Sequence, residues 1–491
     1  MRELGTLLDV LDAAEGGRTA VVLPEADVSV TYADLRRRVR GMAGALHAAG
    51  VRRGDRVAIT LPNGLDAIVA FLAAAAAGTA APLNPGYKFE EFCFYLADTR
   101  AKMAIVSSVE SAESSEARRA AEQADIPVVT PEISDDGGFP EPGPHDIALV
   151  LHTSGSTGRP KRVPLRQSNL AASIRTIAET YALSPDDVSL CLMPLFHVHG
   201  LMASTMATLL TGGTVVVPAR FNALTFWRTV RDYGVTWYSG VPTMHQLILT
   251  RKRSGDEKLR FIRSCSAALA PGLMRRMEEY FAAPVLEAYG MTEASHQMAS
   301  NPLPPAARKA GSVGPGTGVR ISIRDEQGGE LPSGKAGEIC IDGPGVICEY
   351  ENNPEATAKS YFGEWFRTGD QGILDGEGYL HLTGRIKELI IRAGENIAPR
   401  EIDEVLLAHP AVAEAVCFGV PHATWGEEVE AAVVLRQDVP AGEADLIGFC
   451  RVRLADFKCP KKIHLVASIP RTATGKIQRL NVAAALGALS P

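Results

Sequence analysis

Thr153-Ser-Gly-Ser-Thr-Gly-Arg-Pro-Lys161 combines flexible glycines, hydroxyl side chains and a lysine in one short stretch. An apolar run, Ile147-Ala-Leu-Val-Leu151, precedes it and predicts a buried strand, and Gln167 to Tyr181 predicts a helix after it. A strand, a glycine-rich turn and a basic residue can together hold the phosphates of a nucleotide. The stretch lacks the spacing of a Walker A loop, which argues against an ordinary kinase or GTPase. By composition alone, it also suits a solvent-exposed connection.

Length, charge and cysteine content narrow the classes of protein to consider. The chain has 491 residues and a mean hydropathy of +0.02, which is typical of a globular protein with several domains. Its formal net charge of −7 argues against nucleic-acid binding, because that function needs a basic surface. Eight scattered cysteines include no Cys-x-x-Cys pair. Neither a zinc site nor a disulfide framework is therefore predicted, and a reducing compartment fits best.

No targeting or membrane segment is predicted. The stretch from the N-terminus to Glu15 is too acidic for a transit peptide, and the chain ends at Pro491 without a peroxisomal Ser-Lys-Leu. The alanine-rich stretch from Ala67 to Ala81 is interrupted by Gly78. It is short for a membrane span, so we predict a packed internal helix. We expect a cytoplasmic monomer or homodimer with no stable membrane insertion and no nucleic-acid partner.

The first part of the chain alternates helical and strand patterns. The predicted helices run from Tyr32 to Gly50, Gly64 to Gly78 and Phe89 to Asp98, and short strands are predicted at Arg56–Thr60 and Ala104–Val106. Such alternation predicts an α/β architecture with largely parallel sheets.

The pattern changes between Gly314 and Tyr379, where short strands are separated by glycine and proline. Val319-Arg-Ile-Ser-Ile323 and Gly337-Glu-Ile-Cys-Ile341 alternate in the manner of a small antiparallel barrel or sheet. Gly314-Pro-Gly-Thr-Gly318 lacks the spacing of a dinucleotide-binding loop, so we interpret it as a turn between strands.

Further short motifs follow the first stretch in order along the chain. They are Pro194-Leu-Phe-His-Val-His-Gly200, Tyr289-Gly-Met-Thr-Glu293, Thr368-Gly-Asp370, Gly384-Arg-Ile-Lys-Glu388 and Pro470-Arg-Thr-Ala-Thr-Gly-Lys476. With these motifs the sequence resembles, over nearly its whole length, the acyl-adenylate-forming family of acyl-CoA synthetases, luciferases and peptide-synthetase adenylation domains. The resemblance implies a large N-terminal domain at residues 1–384, with parallel α/β sheets and a small β-barrel. It also implies a hinge at residues 385–387 and a small, mobile α+β domain at residues 388–491.

The resemblance further implies a reaction. ATP and a carboxylic acid form an acyl-adenylate in the presence of Mg²⁺, and the thiol of coenzyme A then takes the acyl group. The first step brings two anions together, so the protein must supply positive charge and fixed geometry.

Roles for individual residues also come from the resemblance. The residues implied to bind ATP or AMP are Thr153, Ser154, Gly155, Ser156, Thr157, Gly158, Lys161, Ala267, Tyr289, Gly290, Met291, Thr292, Asp370 and Arg385. The residues implied to act in catalysis are Lys476, Lys161, His197 and Thr292. Glu293 is the implied Mg²⁺ ligand and Lys387 the implied hinge residue. Gly394 and Glu395 are implied to lie on the side that meets CoA. Outside this context, Glu293 is a surface acid, Thr368-Gly-Asp370 is a turn, and an exposed lysine such as Lys476 only aids solubility.

Longer matches point to the acid that is activated. The segments 193–200, 264–270, 287–298 and 301–304 resemble those of oxalate-CoA ligases, also called oxalyl-CoA synthetases. Oxalate is a small dianion, and its second carboxylate stays charged after the first has reacted, so it needs hydrogen-bond donors. The candidate donors for this substrate are His197, His199, Ser266 and His296. A fatty-acid enzyme would instead need a long apolar tunnel.

Each of these four residues also has an interpretation unrelated to the choice of acid. In these alternatives, His197 acts near the reacting carboxylate whatever the substrate, and His199 packs under the next helix. Ser266 satisfies a backbone group, and His296 faces solvent. The alternative functions are a ligase for another short dicarboxylate or for a medium- or long-chain fatty acid, and a non-catalytic nucleotide-binding regulatory protein. Arg162 also departs from the glycine that commonly follows the phosphate-loop lysine in this family, which leaves efficiency and substrate range open.

Overall fold

The structure of the protein is a computed structural model that describes residues 4–134, 137–153, 160–253, 255, 257–436, 439–471 and 477–487. Its α-helices are α1 (Leu7–Asp12), α2 (Tyr32–Ala48), α3 (Leu65–Ala77), α4 (Phe89–Thr99), α5 (Ala112–Gln123), α6 (Gln167–Thr180), α7 (Ala207–Leu210), α8 (Phe226–Asp232), α9 (Pro242–Leu249), α10 (Pro271–Phe281), α11 (Pro354–Lys359), α12 (Pro399–Leu407), α13 (Glu443–Arg451) and α14 (Arg479–Ala485). A π-helical segment covers His199–Met206, and short 3₁₀ turns cover Thr292–Ala294, Ile386–Glu388 and Asp456–Lys458.

The strands follow the same chain order. They are β1 (Thr19–Leu23), β2 (Val28–Thr31), β3 (Arg56–Thr60), β4 (Thr79–Pro82), β5 (Ala101–Val106), β6 (Val128–Val129), β7 (Ile147–Thr153), β8 (Lys161–Arg166), β9 (Val188–Cys191), β10 (Thr214–Val216), β11 (Trp237–Gly240), β12 (Phe261–Ser264), β13 (Val285–Met291), β14 (His296–Ser300), β15 (Arg320–Arg324), β16 (Gly337–Asp342), β17 (Tyr361–Phe362), β18 (Trp365–Leu374), β19 (Leu380–Arg385), β20 (Ile390–Arg392), β21 (Glu395–Ile397), β22 (Val412–His422), β23 (Gly426–Leu435) and β24 (Lys462–Leu465).

Two mainly parallel sheets form the first part of the chain. One has the order β14-β13-β12-β11-β9-β10-β1-β2, and its antiparallel pairs, β13–β14 and β1–β2, lie at its two edges. The other has the order β6-β5-β3-β4-β7-β8 and is parallel except for the β7–β8 hairpin. The predicted α/β architecture is confirmed.

Two smaller sheets follow. Strands β15 to β19 form an antiparallel sheet, where the sequence predicts a small barrel or sheet. Strands β20 to β24 form a separate sheet that is antiparallel except for the β23–β24 pair. The two faces of this last sheet carry separate apolar clusters, one with α12 and α13 and the other with α14. An α+β unit with its own core therefore follows β19.

The alanine-rich helix α3 is buried at every position except Asp66, as predicted for a packed internal helix. The predicted bounds, Gly64 to Gly78, agree with α3 to within one residue at each end. The interpretation of the whole stretch from Ala67 to Ala81 as one helix is wrong beyond Gly78, because Thr79–Pro82 form β4 between β3 and β7. A Cβ atom at Gly78 would lie 2.6 Å from the Asp55 carbonyl oxygen, so glycine permits the tight turn between the two elements. Among the described residues, no helix combines the length and apolar character needed to cross a membrane.

Candidate active site

Several predicted site residues lie where strands of the two large sheets end. Strand β7 leads to the phosphate-loop stretch, and β9, β12 and β13 lead to segments that carry histidine, serine and glutamate. Strands β9, β11, β12 and β13 are neighbours in one sheet. In α/β folds, ligands bind beyond the carboxyl ends of parallel strands, and this arrangement follows that rule.

The phosphate side of the site is formed by the β7–β8 hairpin. Thr153 and Lys161 are directly opposite each other in the antiparallel register, and residues 154–159 between them lie outside the described residues. The predictions for Ser154, Gly155, Ser156, Thr157 and Gly158 fall in that segment. The Thr153 hydroxyl lies 3.4 Å from Oε1 of Glu293, so the hairpin and the Glu293 segment meet.

Tyr350 connects two predicted site residues and was missed by the sequence analysis. Its hydroxyl donates a hydrogen bond of 2.9 Å to Oε1 of Glu293, and the Lys161 ammonium lies 4.2 Å from the centre of its ring. Burial lowers the pKa of Lys161, and the nearby Glu293 carboxylate opposes that shift. Tyr350 therefore holds a cation and an anion in fixed positions at the mouth of the β7–β8 hairpin.

The contacts of Arg162 explain why an arginine can occupy this position. Its guanidinium donates to the Asp98 carbonyl oxygen, and Nε lies 3.5 Å from Oε2 of Glu351. Adjacent side chains of a strand point to opposite faces, so Arg162 turns away from Lys161. Arg162 therefore supports the hairpin from its outer side.

Asp370 receives two oriented donors. The Tyr289 hydroxyl donates to its Oδ2, and Arg385 Nε lies 3.0 Å from its Oδ1. Asp370 and Arg385 are partners across the β18–β19 ladder, so the backbone register fixes the second pair. Asp370 is 7% exposed, and an ionised carboxylate in this setting is a strong acceptor for a diol.

The Tyr289–Thr292 segment runs from the end of β13 into a 3₁₀ turn. Tyr289 is buried, whereas Gly290, Met291 and Thr292 are half-buried. A Cβ atom at Gly290 would lie 1.8 Å from the His296 carbonyl oxygen, so only glycine lets β13 and β14 approach this closely. Ala267 is exposed on the loop between β12 and α10.

Three predicted acid-contacting side chains come together. Nδ1 of His199 lies 2.9 Å from Oγ of Ser266, and the His199 and His296 rings stack with centroids 5.0 Å apart. His296 is 2% exposed, so the interpretation that it faces solvent is wrong. His197 precedes this group, is half-buried, and lies with its ring 4.9 Å from that of Phe196.

A polar network lies behind this trio. His199 Nε2 lies 2.6 Å from Oγ of Ser239 and 3.3 Å from Nη1 of Arg263. Arg263 is fully buried and also donates to Ser239, to the Tyr181 hydroxyl and to Oε1 of Gln297. His199 is therefore buried and has hydrogen-bond partners at both ring nitrogens. It does more than pack under a helix, as the alternative interpretation had it.

Two residues of the trio have unusual backbone conformations. Ser266 has a φ of 70° and His296 a φ of 116°, both in the region that favours glycine. Non-glycine residues held there are strained, and such residues concentrate at functional sites. His199 opens a π-helical segment, another feature that is frequent at such sites.

The predicted hinge and CoA-side residues are exposed. Lys387 is exposed in the 3₁₀ turn after β19, and its charge contributes to lowering the pKa of Lys161. Gly394 and Glu395 are exposed at the tip of the β20–β21 hairpin. Lys476 lies outside the described residues.

Glu287 joins the large domain to the small unit and was missed as a contact. It is 1% exposed, Oε1 accepts a hydrogen bond of 2.9 Å from the Leu269 amide, and the Arg400 guanidinium lies 4.0 Å from the same oxygen. Burial raises the pKa of Glu287 to about 7. Ionising this carboxyl in the folded protein therefore costs free energy.

Replacing Glu287 by glutamine is expected to stabilise the protein at alkaline pH and to have little effect near pH 4.5. A carboxyl whose pKa is raised on folding contributes stability below its unfolded pKa, and that contribution is lost as the pH rises through 7. At pH 8 the variant should gain roughly 3 kcal/mol, visible as a higher melting temperature. Glu279→Gln, on an exposed position of α10, is the control. An equal shift at pH 5 and pH 8 for Glu287→Gln would contradict the assignment.

Comparison with known proteins places this geometry in context. A family model described as AMP-binding enzyme matches residues 11–351, and one described as AMP-binding enzyme C-terminal domain matches residues 401–476. The chain is 46% identical to an oxalate–CoA ligase of Arabidopsis thaliana, with 93% of each chain covered. It is 43% identical to an oxalate–CoA ligase of Saccharomyces cerevisiae, with 94% of each covered. The crystal structure of ATP-bound MatB from Rhodopseudomonas palustris superimposes with a TM-score of 0.90 at 32% identity, covering 97% of this chain and 98% of MatB.

Proposed function

Because this chain belongs to the AMP-binding enzyme family and is an AMP-forming acid–CoA ligase, we propose that oxalate is its preferred acid. The observation that carries this proposal is the partly buried contact of His199 with Ser266, beside the stacked ring of His296. These groups offer hydrogen bonds to a compact anion and do not form the wall of an apolar tunnel. The similarity to two oxalate–CoA ligases supports the same acid.

The first half-reaction joins oxalate to the nucleotide. One oxalate oxygen attacks the α-phosphorus of ATP, the bond from that phosphorus to the bridging oxygen breaks, and pyrophosphate leaves with the bonding electrons. We assign Lys161, Thr153 and residues 154–158 to the β- and γ-phosphates, and Lys476 to the α-phosphate and the attacking carboxylate. The half-buried, oriented positions of Lys161 and Thr153 in the hairpin support this assignment.

The nucleoside is assigned to the other side of the site. Asp370 accepts hydrogen bonds from the ribose hydroxyls with help from Arg385, and Tyr289, Gly290, Met291 and Ala267 border the adenine. The Asp370–Arg385 pair of 3.0 Å supports the ribose assignment. Thr292 and His197 are assigned to the reacting carboxylate, because they lie close in sequence to His296 and His199. These two histidines and Ser266 form the proposed acid pocket.

The residues around Glu293 fit a magnesium ion. Carboxylate and hydroxyl oxygens from Glu293 and Thr153 are hard ligands, and within the described residues there is no cluster of three or more His, Cys, Asp or Glu side chains to hold a metal without substrate. Mg²⁺ commonly binds through one or two carboxylates together with substrate phosphates, whose charge it neutralises. Glu293 is accordingly the proposed ligand.

The second half-reaction transfers the oxalyl group to CoA. The CoA sulfur loses its proton, attacks the acyl carbon, and AMP leaves as the carbon–oxygen bond breaks. A rotation at Lys387 is proposed to bring Gly394 and Glu395 towards the adenylate. The exposure of all three residues is compatible with this exchange of faces. Cytoplasmic location and a monomeric or homodimeric state remain predictions.

The proposal is tested by measuring AMP and pyrophosphate formation with oxalate, malonate, acetate, octanoate and palmitate, each with and without CoA. We expect the highest kcat/KM for oxalate and full turnover only when CoA is present. A higher kcat/KM for malonate or for a fatty acid would keep the ligase chemistry and contradict the assignment of the acid pocket.

A further inference from the structure

Arg263 is a buried cation, and its hydrogen-bond partners in the described part of the chain are neutral groups. It is fully buried on β12, and its hydrogen bonds reach Tyr181, Ser239, His199 and Gln297. Among the residues that the structure describes, no carboxylate forms an ion pair with it. Arginine stays protonated in proteins, and an uncompensated buried charge is costly. An anionic ligand bound near Arg263 would lower the free-energy cost of burying this charge.

Arg263, His199 and Ser266 form a chain of hydrogen bonds, and the donors of Arg263 fix the direction of each bond in it. Arginine can only donate, so Nε2 of His199, which lies 3.3 Å from Nη1 and 2.6 Å from the Ser239 hydroxyl, is the accepting nitrogen. The proton of neutral His199 is then on Nδ1, which donates across 2.9 Å to Oγ of Ser266. The Ser266 hydroxyl hydrogen is thereby left to point elsewhere.

The chain of donors ends at the proposed acid pocket. Ser266 is half-buried, whereas Arg263, Ser239 and His199 behind it are buried, so Ser266 is the member that a ligand can reach. Each donor in the chain is polarised by the positive charge behind it. The pocket therefore presents a hydroxyl donor backed by a full positive charge.

We propose that Arg263 is the residue that selects an acid with a charged far end. Acting through His199 and Ser266, its charge favours a short dicarboxylate over an uncharged acid of the same size. This inference rests on the proposed function, because it concerns the second carboxylate of the substrate. Arg263 is a positioning residue in this scheme, since it touches His199 and not the substrate.

Oxamate provides the matched probe. It has the size and shape of oxalate but carries a neutral amide in place of one carboxylate. The measured quantity is the ratio of kcat/KM for oxalate to that for oxamate, obtained from pyrophosphate release. A change that only loosens the fold would lower both values together and leave their ratio unchanged.

Two variants abolish the uncompensated positive charge in opposite ways, and we call them the charge-removing variants. Arg263→Gln removes the cation, and Gln297→Glu places a carboxylate where Arg263 Nη2 now lies 3.1 Å from an amide oxygen. Gln297→Glu keeps the arginine and supplies a partner, so it remains informative if Arg263→Gln fails to fold. Arg263→Lys keeps the charge and serves as the conservative control.

The oxalate-to-oxamate ratio is expected to fall about 10- to 100-fold in both charge-removing variants. It should stay within about threefold of wild type in Arg263→Lys, because the lysine keeps the positive charge, and the KM for ATP should change little in all three. An unchanged ratio in the folded charge-removing variants would overturn the role of Arg263 and leave the oxalate assignment intact. Wild-type protein that does not use oxalate would overturn both.

Discussion

Glu293→Gln is expected to lower the rate of oxalate-dependent ATP–pyrophosphate exchange by about 10²- to 10³-fold. The substitution keeps the size of the side chain and an oxygen that can accept the 2.9 Å hydrogen bond from Tyr350. It removes the negative charge beside Lys161 and Thr153, which is what a hard cation requires. The fold should persist, and the Mg²⁺ concentration for half-maximal exchange should rise.

The control for this prediction is Glu349→Gln, which makes the same chemical change at an exposed position next to Tyr350. Its exchange rate should stay within about twofold of wild type, as is usual for surface changes away from special contacts. Thermal melts of the free proteins check that both variants fold. Glu293 would not be the magnesium ligand if its variant matched wild type at every Mg²⁺ concentration.

Lys476→Ala is expected to separate the two half-reactions. Formation of oxalyl-adenylate should fall by at least about 10³-fold, because the positive charge proposed to bridge the two reacting anions is lost. Formation of oxalyl-CoA from added oxalyl-adenylate should change by only a few fold, because that step needs no attack on the α-phosphate. The two rates are measured as pyrophosphate exchange and as thioester formation.

Lys462→Ala is the matched control for Lys476, because it removes an exposed lysine from β24 of the same small unit. Both of its half-reactions should proceed at close to the wild-type rate. Retained pyrophosphate exchange in Lys476→Ala would show that the assigned mechanism is wrong. Equal losses in both half-reactions would indicate a general structural role for this lysine.

The sequence predicted most of the fold because local pattern and tertiary structure agree along the first half of the chain. Strand β3 has the predicted bounds, Arg56–Thr60, and α2 begins at the predicted Tyr32. The error at Thr79–Pro82 has a specific cause. Alanine-rich residues suit a buried helix and a buried strand equally, and the pairing of β4 with β3 and β7 decided between them.

The site was predicted in part. His199, Ser266 and His296 were identified as a group, and the structure brings them together. Arg263 was missed, although a charged residue inside the apolar strand Phe261–Ser264 was a detectable signal.

Tyr350 and Glu287 lacked a comparable signal. Tyr350 approaches Glu293 and Lys161 only through tertiary structure. The interdomain position of Glu287 depends on Arg400, which is distant in sequence. Contacts of this kind depend on how the sheets pack against each other, and this packing cannot be predicted from a single sequence.

Oxalate is the proposed preferred substrate of this ligase. The most direct test incubates the protein with ATP, Mg²⁺, a limiting amount of CoA and equimolar oxalate, malonate, acetate, octanoate and palmitate, and quantifies every acyl-CoA product by mass spectrometry. We expect oxalyl-CoA to be the dominant product, with a yield that persists in the presence of the fatty acids. A mixture dominated by malonyl-CoA or by a fatty acyl-CoA would contradict it.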